Sequence, residues 1–512
     1  MYKTIHVETA GTLPALIAES DKYEITELTV TGNLNDADMG YIKDMAEDIL
    51  SVLDMSGAEI VNNTIVTSAF YDCRSLTRVK IPNNIISIGQ NAFGRCDSLT
   101  GLTIPGGVTE IGKGAMEHCA DLMEIIVSEE NEHYSAIDGV LFDKNKTTLI
   151  RYPQAKADTS YAIPDSVTSI EESAFDGCEN LMNITIPNSV IHIEKSAFSN
   201  CCSLTHISIP DNVTSIEKEM FSGCNDLAQV IIPDSVTHIE ENAFSFCTSL
   251  IHTTIPKNVS MIELNTFGFC DSLEGHLVSE ENAYYSAIDG VLFNKEKTAL
   301  IHYPIAKPGV SYIIPDSVTN IDKYSFEHCS ILAHLTIPDS VNFIDPNAFL
   351  RCGGLIEYIV SEKNAYFSAI DGVLFDKKKT TLIRYPKAKP GISYIIPDSI
   401  TSIGESAFEG CTNLTRITIP NSVTEIRKCA FDSCLNLTTL TIPDSVSLMS
   451  IFALWHCVNL KEIHNKNPVP QVVEKWGHRL NTRTCRLYVP KGSYSAYKNA
   501  EGWGKFAEII EE

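Results

Sequence analysis

The sequence has no run of 18 or more apolar residues, so nothing in it reads as a membrane-spanning helix. It is short of positive charge: 39 Lys and Arg stand against 65 Asp and Glu, a formal net charge of −26. A surface of that sign repels nucleic acid and anionic lipid, and neither is expected as a partner. The opening stretch, MYKTIHVETAGTLPALIAES, lacks a basic start followed by an apolar segment, so it is not read as a secretory signal. The expected location is the cell surface or the exterior if a leader was removed, and the cytoplasm otherwise. Catalytic signatures are missing too. No nucleophile elbow, H-E-x-x-H, phosphate loop, post-strand G-x-G-x-x-G or C-x-x-C stands in usable context, so no enzymatic activity, catalytic residue, metal or cofactor is expected.

What the chain does have is self-similarity. Its 512 residues exceed what one core holds, which asks for several domains or for repeats. Ile-Pro recurs with the proline at 82, 105, 164, 187, 210, 233, 256, 315, 338, 397, 420 and 443, in steps of 23 or 59. Cys73, Cys96, Cys119, Cys178, Cys201, Cys224, Cys247, Cys270, Cys329, Cys352, Cys411, Cys434 and Cys457 keep the same steps. The long steps resolve at Ser128, Ser279 and Ser361, each closing a Val-Ser-Glu run at the 23-residue mark. Between positions 82 and 466 this gives sixteen coils, of which 129–164, 280–315 and 362–397 are 36 residues long.

One unit, Leu181 to Cys201, reads LMNITIPNSVIHIEKSAFSNC. Polar and apolar residues alternate through Ile184 and Ile186, as a half-buried strand requires, and Pro187 ends the strand because it cannot donate to a ladder. Val190, Ile193 and Phe198 form a second inward set. A coil this short cannot bury its apolar side alone; stacking on its neighbours does so. The unit, C-x-x-L-x-x-I-x-I-P-x-x-V-x-x-I-x-x-x-A-F, resembles the BspA-like (Treponema pallidum-type) leucine-rich repeat over about residues 60–466. Leu454-Trp455 departs from the pattern where Ala-Phe runs elsewhere. The resemblance implies a mostly β solenoid, a right-handed leucine-rich-repeat superhelix, in a bacterial or protozoan surface protein that adheres to host, matrix or cell partners. The Ser-Ala-Ile-Asp-Gly-Val-Leu-Phe of the long coils also occurs in similar proteins.

Open solenoid ends need caps. Residues 1–60 are expected as an α/β N-terminal cap: a strand over 25–30, an N-cap at Asn35 or Asp36, and a helix over 38–50. Residues 61–466 form the solenoid, and 467–512 a small C-terminal cap of strand, turn at 490–492 and helix capped by Ser493. Each long coil is read as a hairpin with a basic tip: Lys144 and Lys146; Lys295 and Lys297; Lys377, Lys378 and Lys379. Solvated charge that discourages edge pairing accounts for these lysines most simply; docking of an acidic partner is the alternative.

The cysteine ladder would stack about 4.8 Å per step and is expected to be buried free thiols in place of an asparagine ladder. Strand residues between core positions should face a concave ridge of about 75 Å. Candidate ligand contacts there are Arg78, Lys80, His206, Gln229, Ile231, His252, His334 and Arg416. His206 and His252 lie two coils apart, about 10 Å, too far for a comfortable shared zinc, so solvent-exposed histidine is the plainer account. The expectation is a non-enzymatic binding or adhesion protein whose partner is a protein or cell-surface glycan. A structural spacer or self-associating rod is the alternative.

Overall fold

In the computed structural model, which describes residues 1–450, 452–473 and 482–512, the 23-residue coil has the expected inward set and more regular structure than its spacing predicted. Asn183–Thr185 is a strand with only Ile184 turned inward, and Val190, Ile193 and Phe198 are all buried. His192–Ile193 forms a second short strand, paired in parallel with Ser169–Ile170 of the coil before. A third set of backbone bonds links the turns, as in Phe198 N to the Met220 carbonyl at 3.0 Å. Neighbouring coils are therefore bonded on up to three sides. The chain reverses through residues in the left-handed region, such as Ser196 (φ 56°) and Asn200 (φ 55°).

The chain divides into two compact units, Met1–Ser272 with Glu281–Ala283, and Leu273–Glu280 with Tyr284–Glu512. In the first unit, phenylalanines stack one per coil: Phe175, Phe198, Phe221, Phe244 and Phe267 lie with centroids 5.2, 5.5, 5.5 and 5.9 Å apart. The second unit repeats the device with Tyr303, Phe326 and Phe349, and again with Tyr385, Phe408 and Phe431. The thirteen register cysteines are buried and free. Eight of them bond the preceding coil's phenylalanine carbonyl, as Cys224 Sγ does with Phe198 at 3.1 Å. Burial pushes these thiols up, to about 12 at Cys270 and Cys457, which removes the thiolate needed for reactivity.

At the N-terminal end the helix is Asp36–Asp48, with Asn35 and Asp38 completing a reciprocal capping box. The strand expected over 25–30 is Glu27–Leu34, and it lies between Tyr2–Val7 and Val52–Ile60, two strands the pattern did not reveal. Val52–Ile60 continues directly into the repeat through Arg78–Lys80. At the C-terminal end, Arg486–Val489 and the helix Tyr494–Asn499 are present. Ser493 makes no side-chain cap; the Glu511 carboxylate takes the amides of Gly492 and Tyr494 instead. A last strand, Glu508–Glu511, pairs with Arg486–Val489. Part of the cap expected over 467–512, residues 474–481, lies outside the described residues.

Each long coil carries two hairpins rather than one. Tyr134–Ile137, Val140–Asp143 and Thr148–Arg151 form an antiparallel meander, and Thr148–Arg151 then takes the place of a short second-face strand beside Ser169–Ile170. The first turn is Asp138-Gly139, both with positive φ, as a two-residue type I′ hairpin needs. The turn reaches back to the strand of the previous coil: Ile125 N donates to the Gly139 carbonyl at 2.9 Å, and His276 N to Gly290 and Tyr358 N to Gly372 likewise. A Cβ on Gly372 would stand 2.6 Å from Glu357 Cβ, and one on Gly290 2.8 Å from Gly275 Cα, so both the φ and the close approach demand glycine.

Candidate functional site

The alternation that buries Ile184 and Ile207 turns their neighbours outward. In the first unit His206 pairs with Asn183 and with Gln229, and Ser208 pairs with Ile231. His206, Gln229, Ile231 and His252 are exposed, Ile231 to 56%. They occupy three successive coils and make one local patch. The His206 ring accepts or donates only to the adjacent Thr205 hydroxyl, at 3.2 Å. Arg78 and Lys80 are also exposed, but the strands Gly101–Ile104, Glu124–Val127, Ser160–Ala162 and Asn183–Thr185 separate them from His206. Lys80 is moreover engaged with Asp54 at 2.8 Å.

In the second unit His334 is half-buried and paired with Glu357 at 2.8 Å, while Arg416 is exposed between Ser393 and Thr439. The strands of the ridge are not all joined in one ladder. The ladder stops between Arg78–Lys80 and Gly101–Ile104 and between Gln229–Ile231 and His252–Ile255, and also at each long coil, where no pairing joins Glu124–Val127 to Ser160–Ala162 or Glu357–Val360 to Ser393–Ile395. The Asp-Gly turn fills the interval because the extra residues must return through that gap. The ridge is a series of short platforms.

The lysine tips form at the second turn of each meander, away from the ridge by the length of the strand between the two turns. The first lysine of each set is tied to its own coil: Lys144 to the Asn131 carbonyl, Lys295 to Glu280 at 3.2 Å and Lys377 to Glu362 at 2.9 Å. Lys146, Lys297 and Lys379 sit in the left-handed region at φ 58°, 58° and 55°, and Lys378 is exposed. The Asp143 and Asp376 carboxylates cap the turn amides of the following threonines. The tips therefore have a structural task, and the structure does not bring them together with the ridge residues.

Sequence spacing overlooked two buried positions of the long coils. Asn131 is fully buried; its Nδ2 donates to the Pro105 and Val108 carbonyls at 2.8 and 2.9 Å, and its Oδ1 accepts the His133 and Tyr134 amides. Asn364 repeats this pattern, and Asn282 makes the same two donations. An asparagine three residues after each of Ser128, Ser279 and Ser361 was the available signal. The second position holds Arg151, His302 or Arg384, at offsets of 151 and 82. Arg384 shares the buried Glu409 carboxylate with Lys387, at 2.8 and 2.6 Å. Burial drives Lys387 down, and Arg384 and Lys387 together hold Glu409 low against its own burial.

Among the described residues, no three His, Cys, Asp or Glu side chains are placed to hold a metal ion. No helix of the described residues is long and apolar enough to cross a membrane.

The profile of the BspA type leucine-rich repeat region matches residues 63–155, 154–274, 309–395 and 387–476, six copies in all. No curated protein is similar enough to count as a relative. Among solved structures, a leucine rich cell surface protein from Faecalibacterium prausnitzii is 31% identical over 74% of this chain and 83% of that one, with a TM-score of 0.45. The pneumococcal vaccine antigen PcpA is 23% identical over 81% of this chain and 89% of that one, with a TM-score of 0.44. A leucine-rich repeat protein of T. pallidum is 18% identical over 60% and 89%, with a TM-score of 0.17. With its profile matched over most of its length and its thiol, proline and phenylalanine ladders in place, this chain belongs to the BspA-type leucine-rich repeat family.

Proposed function

We propose that this chain is a non-enzymatic binding protein that takes a protein ligand on the ridge of its first unit. The observation that carries the reading is the group of His206, Gln229, Ile231 and His252: solvent-facing side chains on three successive coils, the first three on one ladder and His252 on the strand that begins the next, where the repeat needs nothing of them. Ile231 supplies apolar area and the flanking groups supply hydrogen bonds, the two kinds of contact an interface combines. The 31% identity to a cell surface protein supports placing the chain at a cell surface, in contact with host, matrix or neighbouring cells.

The test is capture from extracts of matrix and bacterial surface proteins, followed by affinity measurement for whatever binds. The substitutions His206→Ala, Ile231→Ala and His252→Ala together should leave the circular dichroism unchanged and weaken binding at least tenfold, about 1.4 kcal/mol or more. Undiminished affinity in the triple variant would reject this patch as the site.

A further inference from the structure

The ridge of the second unit carries side chains of another kind. Ile313 is 70% exposed, Ile395 73% and Ile392 68%, with Leu277, Val310 and Ile359 also open to solvent. Ile313 and Ile359 share one platform of the ridge, and Leu277 and Ile395 lie on the neighbouring platforms. Ile313 pairs across to Thr336, and Thr336 to Ile359; 36 residues further on, in the same register, stands Ile395. Leu277 holds that register one long coil earlier. The repeat does not require this. At the matching positions of the first unit, Thr159 and Ala162 stand where the second unit has Val310 with Ile313, and Ile392 with Ile395, whereas the counterpart of Leu277 and Ile359 is the exposed Ile126.

We propose that two copies of this chain pair through this aliphatic strip, each covering the other's. Six such side chains leave on the order of 600 Å² of apolar surface in water, at the upper end of what a monomer's largest patch shows. A stable pair buries about 800 Å² per partner, so the strip supplies most of what a two-fold contact needs and its polar border the remainder. Electrostatics oppose the pairing. Two chains of net charge −26 repel over most of their surfaces. Beside the strip Lys389 offsets Asp371 at 3.1 Å, and His334 is hydrogen-bonded to Glu357 at 2.8 Å. Isoleucine, leucine and valine also offer a carbohydrate no hydrogen bond, which sets this surface apart from a glycan site.

The strip lies in the second unit and the proposed ligand patch in the first, so either reading can fail alone. The experiment is sedimentation of the full chain over a wide range of concentration. The wild type should move from one copy to two, and raising the salt should strengthen the pairing, because it screens the mutual repulsion and leaves apolar contact intact. The double substitution I313E/I395E should hold the chain at one copy throughout, with an unchanged melting temperature, and I313S/I395S should weaken pairing at least tenfold. A wild type that stays single at every concentration overturns the proposal, whatever foreign protein it captures. Pairing that survives I313E/I395E, weakens with salt, or grows past two copies overturns it equally.

Discussion

The first and third long coils bury an arginine where the second buries nothing charged. All three share a length, an Asp-Gly turn tucked against the preceding strand and a buried asparagine. At the shared slot, Arg151 bonds the carbonyls of Ser173 and Asp176, while Arg384 joins Glu409 and Lys387 in a buried cluster. His302 instead meets His276, Nδ1 to Nε2 at 2.8 Å, with the rings edge to face. A backbone path set by spacing thus admits three polar solutions. Which one is used depends on the partners that neighbouring coils bring: Asp176 is already engaged by His118 and Asn200, whereas Glu409 is turned to its arginine.

The sharpest way to break this comparison is to remove the two acids in turn. Glu409→Ala strands two cations in the interior and should cost about 3–5 kcal/mol of second-unit stability in urea unfolding. Asp176→Ala leaves Arg151 with its carbonyl partners and should cost the first unit roughly 1–2 kcal/mol. Equal losses would show that the two arginine slots are alike after all. Next in size are the asparagines. Asn131→Ala and Asn364→Ala each orphan two carbonyls and two amides and should cost about 2–3 kcal/mol apiece. Values that diverge by more than about 1 kcal/mol would deny the shared skeleton.

The smallest effect is the acid response of the second coil. Burial lowers His302 from 6.5 to about 4. Between those values the unfolded chain binds a proton that the folded chain refuses, so the contribution is complete above about pH 6.5 and is lost as pH falls toward 4. Because the residue is half-buried rather than sealed, we expect on the order of 2 kcal/mol. His302→Gln should flatten that segment of the stability–pH curve relative to wild type. A curve that keeps its slope would assign the acid response to other groups.

Much of the fold was legible because the repeat states the same request many times. A strand ends at each Ile-Pro since proline cannot donate, and each cysteine shares the proline's step because both belong to one coil. The ridge candidates His206, Gln229 and Ile231 follow from alternation alone. Two-residue strands such as His192–Ile193 were not legible, being too short to show a period, and neither were Tyr2–Val7 and Val52–Ile60, which belong to turns outside the repeat. Lys144, Lys295 and Lys377 read as free tips because a sequence shows charge and not the carbonyl that a lysine will reach.

By itself, the order of residues determined the stacking unit, its length, its inward set and the burial of its thiols, all of which are local consequences of period and polarity. Only the tertiary structure decided that the Asp-Gly turns interrupt the ridge, that Glu409 serves Arg384 while Asp176 is taken by others, and that aliphatic side chains gather on the second unit. Those outcomes depend on which coil lies beside which, and contacts between coils 23 or 36 residues apart exist only once the chain has stacked.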